Sequence, residues 1–320
     1  MRYKKLGQTN IEVSIIAMGG HEYLPDGQSR GFNEDFARAI KPGFIFSGFG
    51  MERRKKVLAL AFENGINLFD VTQDSEKEAL GRNLKEIVPP YDIYIQTRPE
   101  GMVYTYDLYN RKLAQYELLK AEVQRGLKLL ERDHLDFLNI AFMQSALDHD
   151  PEYLDKIKSN IDRLKKEGLI RFACADTFSG ESTYLRQITS NAFDAVYINF
   201  NFADCSALRR VFPAAEEKRL GIISREAFMK GQLYKMADEV GYTDRSRLAQ
   251  MALKWTLAHP AVTTVVVGTN NPDHLLTNLA VLDDLSLTAA ERDLIEKIKT
   301  SQIFKTYEER KLREFFRKNQ

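Results

Sequence analysis

The sequence is poor in the features that assign a chain to a specialised class of protein. Its two cysteines, Cys174 and Cys205, lack the spacing of a zinc or iron–sulfur site, so we expect two buried thiols and no metal. No apolar run approaches the ~20 residues of a membrane-spanning helix. No apolar signal core follows Met1. With 46 Lys and Arg against 45 Asp and Glu, the charge does not indicate nucleic acid or a membrane as partner. These absences predict a cytoplasmic protein.

What is present is the composition of an ordinary globular protein, with 44% hydrophobic and 28% charged residues. The segment 64–70 shows how the chain is built: a helix ends, Gly65 stops it, a short apolar strand follows, and Asp70 stands at the end of that strand. This helix–glycine–strand unit recurs about eight times.

The recurring unit predicts eight strands, at 13–18, 66–70, 91–97, 135–141, 170–175, 195–200, 222–226 and 262–267. Helices are predicted at 33–40, 53–64, 75–86, 113–130, 153–166, 184–188, 216–220, 246–258 and 272–282, and Thr288 with Glu291 forms a capping box for one more. Short strands that alternate with helices require parallel pairing. Since no glycine-rich dinucleotide fingerprint follows the first strand, a barrel fits better than an open sheet. We see no linker between two domains, so we expect an α/β protein with one domain over 1–320, a single (β/α)₈ TIM barrel with a long loop after strand 1 and extra C-terminal helices.

Five sequence motifs, spread over nearly the whole chain, resemble those of the aldo-keto reductases. They are 6–9 (Leu-Gly-x-Thr), 65–70, 129–136, 166–171 and 267–275. The resemblance implies the same barrel and the reduction of carbonyls with NAD(P)H. The family uses an Asp, a Tyr proton donor, a Lys that lowers the Tyr pKa, and a His that orients the substrate.

Of these four catalytic residues, the resemblance carries over only the Asp, at Asp70. The tyrosine segment that normally precedes Ser75-Glu76 is missing, Arg98 stands at the Lys position, and Ala141 stands at the His position. Arg98 cannot serve as an acid, but it could polarise a carbonyl or bind a carboxylate through two hydrogen bonds. Alternatively, Asp70 and Arg98 form an inherited ion pair without turnover.

The cofactor positions are also altered. Where the family holds the nicotinamide carboxamide, the sequence has Asp176 and Thr177, and the stacking aromatic aligns with Phe200. The family's strand-six Gln aligns with Tyr197, and its strand-seven Tyr-Ser pair aligns with Arg225-Glu226. We expect these last two residues to form a mutual salt bridge.

The phosphate end of the cofactor site matches the family best. Gly268, Thr269, Asn270 and Asn271 precede Pro272 at a helix start, which favours an anion. Asn278 matches an Asn that often contacts adenine. The basic residue for a 2′-phosphate has no clear match, which favours NAD over NADP. The alternative is an ordinary capped helix without a ligand.

A replacement for the missing proton donor has to come from the same end of the barrel. His21, Glu22 and Tyr23 follow the first strand and could supply an acid, a base or a phenol, although such a loop segment is more often a solvated turn. Tyr104, Tyr106 and Tyr109 lie in the loop after strand 3, and one of them could face a substrate.

The sequence thus predicts an atypical oxidoreductase that acts on a small carbonyl or alcohol with NAD or NADP, with Asp70 and Arg98 at the reacting end. Two alternatives remain: a non-catalytic descendant that binds a nucleotide or metabolite, and a non-redox lyase or hydrolase that uses Asp70 and Arg98. We expect a small-molecule substrate and a monomer.

Overall fold

The structure, a computed structural model, describes residues 1–316 and begins with an antiparallel hairpin. The hairpin consists of β1 (Tyr3–Lys5) and β2 (Glu12–Ser14). Its side chains Leu6, Ile11 and Val13 are buried in one cluster with side chains that point into the barrel. The hairpin therefore covers the N-terminal end of the barrel.

Eight parallel strands form a closed barrel, as the sequence predicts. In chain order they are β3 (Ile16–Gly19), β4 (Leu68–Asp70), β5 (Tyr94–Thr97), β6 (Leu135–Ala141), β7 (Ile170–Asp176), β8 (Ala195–Asn199), β9 (Gly221–Arg225) and β10 (Thr264–Val267). Neighbours in the chain pair with each other, and β10 closes the barrel on β3 through Val265 and Ile16. We call the end formed by the C-termini of these strands the barrel mouth.

Helices surround the barrel. They are α1 (Phe36–Ala39), α2 (Glu52–Glu63), α3 (Asp74–Glu86), α4 (Tyr116–Leu130), α5 (Gln144–His149), α6 (Tyr153–Lys166), α7 (Glu181–Thr189), α8 (Val211–Glu217), α9 (Gln232–Glu239), α10 (Arg245–Leu257), α11 (Pro272–Leu279), α12 (Ala289–Lys299) and α13 (Gln302–Phe315). The apolar face of α6, with Ile157, Ile161 and Leu164, is buried in the main core. Past its end, Gly168 has the left-handed φ of +73° that favours glycine.

Most predicted helices agree with the structure within a few residues, and α6 has the predicted bounds. Thr288 and Glu291 form the predicted capping box at the start of α12. The sequence analysis missed the short helices α5 and α9, and the structure places α8 earlier in the chain than predicted. The helical tail predicted at the end of the chain is α13 up to residue 315, and residues 317–320 lie outside the described part.

Other predicted properties concern membrane, metal and thiols. Within residues 1–316, no helix combines the length and apolarity needed to cross a membrane. In the same part of the chain, His, Cys, Asp and Glu side chains do not gather into a group of three or more that could hold a metal ion. Cys174 is buried, as expected, whereas Cys205 is only half-buried.

Candidate functional site

Asp70 ends β4 at the barrel mouth, where the strand pattern places it, and is 7% exposed. Its Oδ1 accepts a hydrogen bond of 3.0 Å from Gln96 Nε2, and its Oδ2 accepts one of 2.5 Å from Tyr197 OH. Burial raises the pKa of Asp70, although these two hydrogen bonds act in the opposite direction. The ion pair with Arg98 that was the alternative for Asp70 is not formed, because the neutral donors Gln96 and Tyr197 bond to its carboxyl group instead.

Arg98 follows β5 and is 8% exposed. Its Cζ lies 5.5 Å from the ring centre of Phe32, 5.3 Å from that of Tyr104 and 5.7 Å from that of Tyr106. Nη2 donates a long hydrogen bond of 3.5 Å to Tyr106 OH, and the buried Nε has no partner. We call these three rings the aromatic box around Arg98. It is a favourable environment for a guanidinium, but it does not satisfy all of its donors.

His21 and Glu76 form a pair at the same mouth. His21 Nδ1 lies 2.7 Å from Glu76 Oε1, and Glu76 Oε2 accepts from the backbone N–H of Thr72 at 2.8 Å. Burial alone would lower the pKa of His21, but the charge and hydrogen bond of Glu76 outweigh it, so the pKa is raised. Against the effect of burial, the same contacts lower the pKa of Glu76 to about 2. The pair therefore favours the imidazolium form of His21 beside an ionised Glu76, and His21 is partly exposed.

The structure separates His21 from the two residues that follow it. Glu22 is buried and accepts a hydrogen bond from the backbone N–H of Gly50. Tyr23 lies against Gly268, close enough that a Cβ at that glycine would meet its hydroxyl. Glu22 and Tyr23 thus anchor the long loop, whereas His21 faces the mouth. His21 was predicted from the sequence as a candidate, but Glu76 was not. The only sign of its role in the sequence is its place in the Ser75-Glu76 motif.

Asp176 and Arg225 form a buried ion pair beside this group. Arg225 Nη1 and Nη2 each donate a hydrogen bond of 2.9 Å to the Asp176 carboxylate, and Tyr104 OH donates one of 2.5 Å to Asp176 Oδ2. The predicted salt bridge between Arg225 and Glu226 is therefore wrong. Arg225 is the last residue of β9, whereas Glu226 lies just after the strand with a left-handed φ of +62°, and it instead pairs with Lys230 at 3.1 Å.

Aromatic residues cover the Asp176–Arg225 pair. Phe178 stacks on Tyr104 with 4.4 Å between ring centres, and the Cζ of Arg225 lies 4.9 Å from the centre of Phe178. The adjacent Thr177 is buried and its hydroxyl accepts from the backbone N–H of Ser179 at 2.9 Å. Tyr109, the third tyrosine of the loop after β5, does not join this cluster and stacks on His149. The side chains at this part of the mouth are thus engaged with one another.

Phe200, the predicted stacking residue, is fully buried. Its ring packs against Phe212, Trp255 and His259, with 4.8 to 5.1 Å between ring centres. These partners belong to α8, α10 and the turn after α10, outside the barrel strands. In this structure the ring therefore has no open face at the mouth.

The loop between β10 and α11 has the form that the sequence predicts for a helix start. Asn271 Oδ1 accepts from the backbone N–H of Asp273 at 3.0 Å, and Pro272 is the first residue of α11. The backbone N–H of Asn271 is itself bonded to Thr269 Oγ1. The side chain of Asn270 donates to Tyr23 O at 3.2 Å, while its buried Oδ1 has no partner.

Two further residues belong to this end of the mouth. Arg54 of α2 donates to the backbone oxygens of Gly19 at 2.8 Å and of Thr269 at 3.4 Å, so it joins the ends of β3 and β10. The sequence analysis treated this region only as a helix. Asn278 of α11 is buried.

A cleft of about 970 Å³ opens between the ends of β7–β9 and α13. Thr177, Phe178 and Asn199 line it on the barrel side, and Tyr307 and Lys311 line it from α13. The C-terminal helix therefore forms one wall of this cleft, whereas His21, Asp70 and Arg98 are not among its lining residues.

Comparison with known proteins gives the same assignment along most of the chain. The model of the Aldo/keto reductase family matches residues 47–300. L-galactose dehydrogenase of Arabidopsis thaliana is 22% identical over 332 residues, which cover 92% of each chain. The uncharacterised oxidoreductase YqkF of Bacillus subtilis is 21% identical over 96% of this chain and 99% of its own length.

Among solved structures, the holo form of the aldo-keto reductase AKR11C1 from Bacillus halodurans superposes with a TM-score of 0.68 at 20% identity. That alignment covers 93% of this chain and 96% of the other. The chain belongs to the aldo/keto reductase family.

Proposed function

We propose that the protein is an oxidoreductase that acts on a small carbonyl compound or alcohol at the barrel mouth, with His21 as the proton donor. One observation carries the proposal: His21, whose Nδ1 lies 2.7 Å from Glu76 Oε1, packs against the same Phe32 ring as Arg98. A polarising cation and an acid thus lie together where the family has its catalytic residues.

His21 supplies the function that the missing tyrosine would have. Reduction of a carbonyl places negative charge on its oxygen, and loss of a positioned general acid costs about 10²–10⁴-fold in rate. Because Glu76 raises the pKa of His21, the ring stays protonated at a pH where an ordinary histidine begins to lose its proton. Arg98 polarises the carbonyl, and Asp70 positions the side chains of Gln96 and Tyr197.

A nicotinamide cofactor supplies or accepts the hydride in this chemistry when it is bound. The phosphate end of its site supports binding, because the start of α11 favours an anion, and the unpartnered Asn270 Oδ1 can accept a hydrogen bond from a hydroxyl or amino group of the nucleotide. Gly268, Thr269, Asn270, Asn271 and Asn278 would hold this part. Without a clear match to the family's basic residue for a 2′-phosphate, NAD is the expected cofactor rather than NADP.

The part of the site where the family binds the nicotinamide ring favours a second candidate function. The residues at the family's carboxamide and stacking positions bind each other instead: Asp176 binds Arg225, and Tyr197 binds Asp70. A nicotinamide ring would have to displace this buried network. That observation supports a descendant that binds a nucleotide or metabolite, or that carries out non-redox acid–base chemistry with Asp70 and Arg98.

Titration with NADH and NADPH separates the two candidates. Binding is followed by the fluorescence of Trp255 and of the nicotinamide, and turnover is then screened with small carbonyl compounds. We expect binding of NADH and measurable turnover. His21→Asn should bind NADH as the wild type does and lose about 10²–10⁴-fold in kcat. Asn270→Ala should weaken binding and leave the proton donor in place.

Failure of both nucleotides to bind at millimolar concentration would overturn the redox proposal and favour the second candidate. Turnover that is unchanged in His21→Asn would overturn the role of the histidine. A monomeric cytoplasmic protein with a small-molecule substrate completes the proposal, and size-exclusion chromatography with light scattering tests its first part.

A further inference from the structure

Arg98 is a buried cation without a direct ion pair in the described part of the chain. Within the described residues 1–316, it takes part in no ion pair with N···O of 4.0 Å or less. Its Nε has no hydrogen-bond partner, and its contact with Tyr106 is long. Buried charges in proteins are normally paired, because an unpaired ion loses its hydration without compensation. The aromatic box around Arg98 compensates for only part of this loss.

The acids near Arg98 are committed elsewhere or unsuited to pair with it. The Glu76 carboxylate is bonded to His21, to Thr72 and to the side chain of Gln73. Glu100 is fully buried, and both of its carboxylate oxygens lack a hydrogen-bond partner. Burial raises the pKa of Glu100, which favours its neutral form. The partner of Arg98 is therefore expected from outside the chain.

We infer that Arg98 binds the carboxylate of the substrate, and that the substrate is a short 2-oxo or 2-hydroxy acid. The inference rests on the proposed function, because the carbonyl or hydroxyl next to that carboxylate is the group that His21 protonates or deprotonates. A guanidinium presents its donors in a fork that matches the two oxygens of a carboxylate.

The surroundings favour a short monoanion. His21 and Arg98 contact the same ring of Phe32, with 5.7 Å between the ring centres of His21 and Phe32 and 5.5 Å from Arg98 Cζ to the Phe32 centre. A molecule that reaches from Arg98 to His21 is therefore small, and its hydrocarbon part meets aromatic walls. The nearby carboxylates of Asp70 and Glu76 disfavour a dianion such as a phosphate ester.

Binding of matched ligands tests the inference without any cofactor. The ligands are 2-oxobutanoate, butanone, which has a methyl group in place of the carboxylate, and inorganic phosphate. Calorimetric titration of the wild-type protein should show at least about tenfold tighter binding of 2-oxobutanoate than of either other ligand.

Two variants locate the effect. Arg98→Met should remove the preference for 2-oxobutanoate, since methionine keeps an unbranched chain that reaches about as far as Nε but has neither the guanidinium nor its charge. Arg98→Lys, which keeps the charge and loses the fork, should weaken 2-oxobutanoate binding by about tenfold and retain a preference over butanone. Circular dichroism of each variant checks that the barrel is folded.

Equal binding of 2-oxobutanoate and butanone, or a preference that survives Arg98→Met, would overturn the inference. Phosphate that binds as tightly as 2-oxobutanoate would overturn the carboxylate class. These outcomes are independent of the redox proposal. A protein without nicotinamide binding can still prefer the carboxylate, and one that reduces butanone as readily as 2-oxobutanoate would refute only the inference.

Discussion

Glu76 sets the charge of His21 from a position 55 residues away in the chain. Its own charge is secured by the backbone N–H of Thr72 and the side chain of Gln73, and its pKa of about 2 keeps it ionised at any working pH. The imidazolium is therefore stabilised by a partner that does not titrate with it.

Glu76→Gln should move the ionisation of His21 to lower pH. The amide can still accept a hydrogen bond from Nδ1, but it has no charge to outweigh the burial that lowers the pKa of the ring. Proton NMR titration of the five histidines, with His21→Asn for assignment, measures the midpoint. The alkaline limb of any pH–rate profile should fall at lower pH in the same variant.

Glu22→Gln is the matched control for this experiment. Glu22 is a buried carboxylate on the same loop, but it bonds to Gly50 N–H, and the amide oxygen of Gln can accept that bond. The His21 midpoint should stay where it is in the wild type. A midpoint that is unchanged in Glu76→Gln would show that Glu76 does not set the charge of His21.

Contacts between side chains at the mouth were harder to predict than their positions. The strand pattern places Asp70, Arg98 and Arg225 at strand ends, and the structure agrees. Their partners depend on which side of the strand each one faces and on distant loops. Tyr197 reaches Asp70 across 127 positions of sequence. Arg225 and Glu226 are adjacent in sequence, which suggested a pair, but β9 ends at Arg225 and the left-handed φ of +62° at Glu226 turns the chain there.

At the scale of elements, helix packing explains a glycine that the motif alone does not. Gly81 lies in the middle of α3, where alanine would be the better helix former by about 1 kcal/mol. A Cβ at Gly81 would lie 2.3 Å from the carbonyl oxygen of Leu129 and 2.9 Å from the carbonyl carbon of Leu130. Backbone atoms of α4 cannot give way locally, so the two helices approach each other only because residue 81 has no side chain.

Gly81→Ala should therefore destabilise the protein despite its better helix propensity. We expect the free energy of unfolding to fall by about 1–3 kcal/mol, as for other overpacked sites. Gly126→Ala is the matched control, because Gly126 lies in α4 and a Cβ there meets only the Lys77 side chain at 4.0 Å. It should be neutral or stabilising by up to about 1 kcal/mol.

Urea unfolding of both variants gives the comparison. If Gly81→Ala is as stable as Gly126→Ala, the close approach of α3 and α4 is not what requires glycine at position 81.

Elements were the part of the fold that the sequence predicted best. Long amphipathic segments such as α6 carry a repeated signal, and Gly168 marks the end. The missed helix α9 has only 8 residues and follows Gly231, and the missed α5 has 6. Short helices bury few side chains, so their periodicity is weak, and packing decides whether they form.

At the scale of the whole molecule, the two ends of the chain cover opposite ends of the barrel. The hairpin β1–β2 covers the N-terminal end, and α13 lies beside the mouth. A charged contact joins α13 to the barrel: Lys311 Nζ lies 3.3 Å from Asp204 Oδ2 and 3.9 Å from Glu226 Oε2. This contact places the charge of Lys311 beside two acids, Asp204 and Glu226, that line the same cleft as α13.

Asp204 should make the stability of the folded protein depend on pH. Burial raises its pKa from the ordinary 3.8 to about 6, although Lys311 lowers it in part. The folded protein thus binds this proton more tightly than the unfolded chain does. Its contribution to stability is complete below about pH 3.8 and is lost as the pH rises through about 6. At about 1.4 kcal/mol per pKa unit, the effect reaches at most about 3 kcal/mol.

Asp204→Asn removes this titration, so its stability relative to the wild type should increase from about pH 4 to about pH 8, by up to about 3 kcal/mol. Lys311→Met should act in the opposite direction. Without the lysine charge, Asp204 ionises at still higher pH, and the loss of stability extends further into the alkaline range. Urea unfolding of the three proteins at several pH values measures both effects.

Parallel pH–stability curves for Asp204→Asn and the wild type would mean that Asp204 titrates alike in the folded and unfolded states. In that case the contact between α13 and the barrel would not respond to pH through this group.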